Sequence, residues 1–280
     1  MNKKIFIVAS IILFLLSSEK AFSNNGDEFL PKSHSITENY AYQKTDSEQD
    51  MLLLAEKGNS KAQLKLGFMY ENGINVSKKP FEAMKWYRRA ADQGEADAQF
   101  NLGLIFYKGK ITKQNYSEAA AWFAKAAENG DAKAQLCLGL MYCNGNGVSK
   151  NYKEAASSFS KAAAQGNSDA QLCLGIMNYK GYGMEKNLVK AAEWYRNAAE
   201  HGNAHAQLHL GMMYNNGDGI DQNIKTAYIW ISLSAANSTG SLQKEAVSAK
   251  TRIEKKLSPD QLKAAKEIIN NWTPKQSADK

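Results

Sequence analysis

The sequence predicts an all-α fold, an α/α solenoid of about five 36-residue helix-loop-helix repeats. Three features carry that prediction. The phrase Ala-Gln-x-x-Leu-Gly starts at Ala62, Ala98, Ala134, Ala170 and Ala206, always 36 residues apart. Two glycine columns keep the same spacing, Gly58, Gly94, Gly130, Gly166 and Gly202, and Gly73, Gly109, Gly145, Gly181 and Gly217. A second helical pattern follows at Ala83, Ala119, Ala155, Ala191 and Ala227, with Trp86, Trp122, Trp194 and Trp230 three residues on and Ser158 in the remaining place. A fixed period of this size marks a repeat array, in which each unit buries its apolar face against its neighbours.

Residues 1–23 have the make-up of a secretory signal peptide. Lys3 and Lys4 lead, residues 5–16 are almost wholly apolar, and Ala21 and Ser23 put small residues where a peptidase would cut after Ser23. The apolar run is shorter than the about 20 residues a membrane span needs. No cysteine lies near the cut, so a lipid-anchored start is not expected. Loss of three lysines and one glutamate with this segment takes the net charge from +7 to +5. Residues 24–45 are polar and aperiodic, the composition of a disordered arm.

The solenoid is expected over residues 46–236. It opens on a half repeat, because Met51 to Gly58 aligns one period before Tyr87 to Gly94. The Gly94 column should end each second helix in a left-handed conformation, which glycine adopts at least cost. The Gly67 column sits inside the first helix, where glycine costs up to about 1 kcal/mol against alanine. Five such glycines imply a close helix crossing. Asn115 with Glu118 and Asn151 with Glu154 resemble capping boxes, and Pro80 suits a first helical turn. Residues 237–280 should form capping helices and a tail. Within them residues 241–256 are charged and amphipathic, and Ser258-Pro259-Asp260-Gln261 opens a last helix running to about Trp272.

Taken together, these columns resemble the Sel1-like repeat family, relatives of the tetratricopeptide repeats, over residues 50 to 236. The resemblance is to the exported bacterial type. It implies a scaffold for protein–protein interaction, at work in cell-envelope or host-interaction processes, in the periplasm or outside the cell. Some cysteine-rich members are described as penicillin-binding or β-lactamase-like, and in that branch each repeat is stapled by its own cysteine pair. Here Cys137, Cys143 and Cys173 make an odd count, so no disulfide framework is expected.

Columns fixed across the repeats are held by packing, and columns that vary are free for other uses. On the first helices the Ala62, Leu66 and Tyr70 columns are nearly constant. The other stripe holds Lys61, Asp97, Lys133, Asp169 and His205, then Lys65, Asn101, Cys137, Cys173 and His209, then Phe68, Leu104, Leu140, Ile176 and Met212. These fifteen residues predict a concave groove with an apolar floor and a rail of alternating charge, fit for a protein or peptide partner. Four of them, His205, His209, Asp169 and Cys173, also suggest a metal site, since two histidines four apart on a helix can share one ion. His201 lies before that helix and is expected to help end its neighbour.

Catalytic motifs are scarce. Ser158 and Lys161 match S-x-x-K, but the Ser-Asp-Asn and Lys-Thr-Gly elements of the β-lactam enzymes are missing. No nucleophile elbow, phosphate loop or zinc-protease helix is present, and no cofactor is implied. Basic residues are dispersed among acidic ones with no block of five, which argues against nucleic acid as a partner. Four glycosylation sequons, at Asn75, Asn115, Asn237 and Asn271, have no meaning in a bacterial export route.

Overall fold

The computed structural model describes residues 48–275, and among these it contains thirteen helices and no strand. The signal peptide and the polar arm inferred from sequence lie outside the described residues. The chain falls into two compact units, divided between Ser158 and Phe159.

The first unit holds α1 (Glu48–Glu56), α2 (Ser60–Asn72), α3 (Pro80–Asp92), α4 (Ala96–Lys108), α5 (Tyr116–Glu128) and α6 (Ala132–Asn144), and the start of α7 (Tyr152–Ala164). The second unit begins within α7. It continues with α8 (Ser168–Lys180), α9 (Leu188–Glu200), α10 (Ala204–Asn216), α11 (Ile224–Asn237), α12 (Gly240–Glu254) and α13 (Pro259–Asn270). In both units most consecutive helices pack against each other, as α2 on α3, α4 on α5, α8 on α9 and α10 on α11, and α13 folds back onto α11.

Local chemistry sets the helix ends. Asn59, Asp131, Asn167 and Asn203 accept the backbone N–H three residues ahead, and so begin α2, α6, α8 and α10. Glycines 73, 109, 145, 181 and 217 close α2, α4, α6, α8 and α10 in the left-handed conformation. The expected capping boxes are half formed. Asn115 accepts from the Glu118 amide, but the Glu118 side chain turns to accept from Trp122 Nε1 at 3.0 Å. Asn151 likewise accepts from the Glu154 amide, at 3.2 Å. A complete box forms at Ser258 and Gln261.

The recurring glutamine explains the sequence phrase. Gln63, Gln99, Gln135, Gln171 and Gln207 are buried, and each donates Nε2 to the carbonyl eight residues earlier, of Ala55, Ala91, Ala127, Ala163 and Ala199. A polar side chain thus ties the start of one helix to the last turn of the one before, satisfying a carbonyl that a helix end leaves open.

The mid-helix glycines mark close crossings. A Cβ on Gly67, Gly103, Gly175 or Gly211 would lie 2.5 to 2.7 Å from Tyr87, Phe123, Tyr195 or Ile231. Those residues are buried at 0 to 2% exposure, with Phe159 in the same column. The tryptophan column, singled out in the sequence, stands one position away from the crossing. Trp86 and Trp122 are mostly buried, whereas Trp194 and Trp230 are half-buried.

Both chain ends of the described region are covered. Helix α1 buries Ala55, and Glu48 accepts from the Tyr70 hydroxyl at 2.7 Å. At the other end α12 and α13 bury Ala246, Ala249, Ile253 and Ala265 with α11. No helix among the described residues is long and apolar enough to cross a membrane.

Candidate interaction site

The predicted groove stripe divides by depth. In its first column Lys61 is exposed, and Asp97, Lys133, Asp169 and His205 are half-buried. The second column lies inside. Asn101, Cys137, Cys173 and His209 are 1 to 8% exposed, and Lys65 alone is half-buried. The third is inside as well, with Phe68, Leu104, Leu140 and Ile176 at 3 to 4% and Met212 half-buried. The expected open apolar floor is therefore corrected. Residues 98–105 and 170–178 are buried without a break, so the middle of α4 and of α8 is buried on every face. Variation in a column here reflects different ways of filling a buried place.

The suggested metal set does not assemble. His209 stacks on Tyr195 with ring centroids 5.0 Å apart, and burial pushes its pKa down to about 3, which keeps the ring neutral. Asp169 accepts from Asn203 Nδ2 at 2.8 Å. Among the described residues no three of His, Cys, Asp and Glu come together as metal ligands. Cys137, Cys143 and Cys173 are buried thiols, and burial pushes Cys143 up to about 12, far from a reactive thiolate. His201 is the capping residue of α9, with Nδ1 2.8 Å from the Asn197 carbonyl, as its position suggested. Ser158 of the S-x-x-K match is 9% exposed, whereas Lys161 is exposed.

Two half-buried carboxylates of the first unit are shifted by their surroundings. Burial raises the Asp97 carboxyl, and the Lys133 ammonium opposes the shift. Asp131 is raised by burial too, against the Ala134 amide that it caps.

Beside this rail the first unit opens into a cleft of about 380 Å³. Its walls are the end of α2 (Glu71, Asn72), the start of α3 (Pro80, Phe81) and one side of α4 (Asn101, Leu104, Ile105, Lys108). Lys78, Lys110 and Ile111 come from the flanking loops. Asn101 and Leu104 belong to the predicted stripe. Phe81, Lys108, Lys110 and Ile111 were not singled out from sequence. Phe81 is 64% exposed, an unusual setting for phenylalanine. Asn101 is 5% exposed, and its Nδ2 donor has no partner.

Comparison with known proteins accounts for the repeat. The Sel1 repeat model matches residues 60–95, 96–131, 132–167, 168–203 and 204–238. The chain belongs to the Sel1 repeat family. It is similar to a Sel1 repeat protein from Oxalobacter formigenes, at 33% identity over 84% of this chain and 96% of that one, with a TM-score of 0.70. It is also similar to a protective antigen of uropathogenic Escherichia coli strains displaying an SLR fold, at 32% identity over 91% of this chain, with a TM-score of 0.73. This chain spans 57% of that antigen. No curated protein matches it. Sel1 repeat proteins are generally scaffolds for protein interaction and not enzymes, and this chain is a Sel1 repeat scaffold.

Within the Sel1 frame the cleft has a cause. In the third and fifth repeats the interhelical loop carries Gly147 and Gly219. A Cβ there would overlap the first turn of the preceding repeat's second helix, at the Tyr116 carbonyl and at 2.5 Å from Leu188. The second repeat has Ile111 in that column. Ile111 lines the cleft together with Pro80 and Phe81. The loop differs in bonding as well. Amides of Ile74, Asn146, Tyr182 and Asp218 reach back to Met69, Met141, Met177 and Met213, while among the described residues Lys110 makes no such bond. The sequence held this signal: Ile111 against Gly147, Gly183 and Gly219, and Thr112 where the others have Val76, Val148, Met184 and Ile220.

Proposed function

We propose that this protein is an exported, non-enzymatic Sel1 repeat scaffold that holds a protein or peptide partner in the cleft of its first unit. Export rests on the segment through Ser23, and places the protein in the periplasm or outside the cell. The observation that carries the interaction reading is the cleft of the first unit, which sets exposed Phe81 beside the unpartnered Asn101 amide. A packed repeat gains nothing in stability from either feature, while a bound partner would cover the first and satisfy the second. The similar E. coli protein is a protective antigen, and this supports a role at the cell envelope or in contact with a host. The buried Ser158 gives the hydrolase reading no accessible nucleophile.

Site-specific photo-crosslinking in the native cell tests this. A photoreactive residue at Phe81 is expected to capture a defined protein, and one at exposed Ser248 is not. Adducts at Ser248 alone, or at neither position, would remove the interaction surface from this cleft. Protein recovered from the envelope fraction is expected to begin at Asn24.

A further inference from the structure

We infer that the cleft between α2, α3 and α4 takes an acidic–apolar segment of a partner protein, an extended stretch in which aspartate or glutamate stands next to a large apolar side chain. The inference rests on the scaffold reading and names the chemistry of its partner. Three lysines, Lys78, Lys108 and Lys110, line the cleft against one carboxylate, Glu71, so its field favours anions. All three lysines are exposed, and remain free to move onto a ligand. The apolar part is just as specific. Pro80, Phe81, Leu104, Ile105 and Ile111 make up its apolar lining, suited to an aromatic or branched side chain. Asn101 lines the same cleft, and its buried Nδ2 has no partner. An amide donor without a partner in a buried position asks for an acceptor, and a backbone carbonyl or carboxylate oxygen is what an extended acidic peptide brings. The acceptor requirement and the basic rim thus point the same way. A cationic peptide would meet the wrong charge and bring no carboxylate acceptor. The other members of the Asn101 column are Lys65, Cys137, Cys173 and His209, so no other repeat offers a neutral amide there.

Fluorescence anisotropy on the full chain tests the proposal with three synthetic ten-residue peptides. The first carries two acidic residues followed by phenylalanine and leucine. The second has lysine in place of the acids, and the third has serine in place of the apolar pair. The first is expected to bind at least about tenfold tighter than either sister, and to weaken with added salt. Lys108→Glu with Lys110→Glu, both exposed positions that leave the packing intact, is expected to abolish the preference for acid. Asn101→Leu is expected to weaken the first peptide about tenfold. Far-UV circular dichroism checks that each variant is folded. Equal binding of the three peptides, no binding at millimolar concentration, or a preference untouched by the lysine reversals would overturn the proposal. Should crosslinking at Phe81 succeed while the peptides fail, the scaffold reading stands and the acidic–apolar partner falls.

Discussion

At the scale of single residues, the repeats act as internal mutants of one another. Gln63 and Gln99 not only donate to a carbonyl; their Oε1 atoms accept from Gln93 and Asn129, 30 residues on. Gln207 accepts in the same way from Asn237. The equivalent donor for Gln171 would be residue 201, which is His201. Its Nδ1 sits against the Asn197 carbonyl, and Gln171 Oε1 is buried without a partner. Gln93 shows how one side chain can do both tasks, since its Nε2 lies 2.7 Å from Gln63 Oε1 and 3.3 Å from the Arg89 carbonyl four residues back. His201→Gln should therefore keep the helix-end contact and supply the missing donor. A gain of about 1 kcal/mol is expected, the net worth of one satisfied buried hydrogen bond. A higher urea midpoint at unchanged slope would show it, and an unchanged or lower midpoint would refute it.

At the scale of helices, the crossing at the mid-helix glycine is the tightest joint in each repeat. A Cβ on Gly103 would come 2.5 Å from the Phe123 ring, closer than packed atoms tolerate. Alanine is otherwise the better helix former, so Gly103→Ala sets a local gain of up to about 1 kcal/mol against the cost of overpacking, about 1–3 kcal/mol. The crossing should win, with a net loss of about 1–2 kcal/mol. Phe123→Ala removes the obstructing ring, so the double variant is expected to lose less than the two single losses together. Strict additivity would mean that the glycine serves something other than this crossing. The sequence made these elements legible because every packing column is written five times. It did not make the site legible, for a physical reason. Variation does not mean exposure: Asn101, Cys137, Cys173 and His209 vary inside the protein, each filling its buried place in its own way. Better guides were the absence of long charged residues after Lys65 in that column and the isoleucine at 111.

At the scale of the whole molecule, stability in a repeat protein is a sum over units and their interfaces, and the last unit has only one neighbour. The tail meets this need in the second unit. Trp272 packs edge-on to Trp230 with centroids 6.4 Å apart. The Lys275 amide donates to the Glu200 carbonyl at 2.8 Å, so the chain beyond α13 is pinned to the end of α9, and its ammonium reaches the Glu200 carboxylate at 2.6 Å. That ion pair is exposed on the lysine side and adds little. The tryptophan contact and the α9 carbonyl should dominate. Ending the chain after Asn271 is expected to cost about 2 kcal/mol, mostly from lost aromatic burial. Lys275→Ala, which removes the ion pair and keeps the backbone bond, should cost under about 0.5 kcal/mol. Hydrogen exchange separates this from a general loss of stability. Amides of α9 and α11 should lose protection in the truncated chain, while those of α2 and α3 in the first unit keep theirs. Equal loss in both units would show that the tail supports the fold as a whole, and equal effects of truncation and Lys275→Ala would make the ion pair the true fastening.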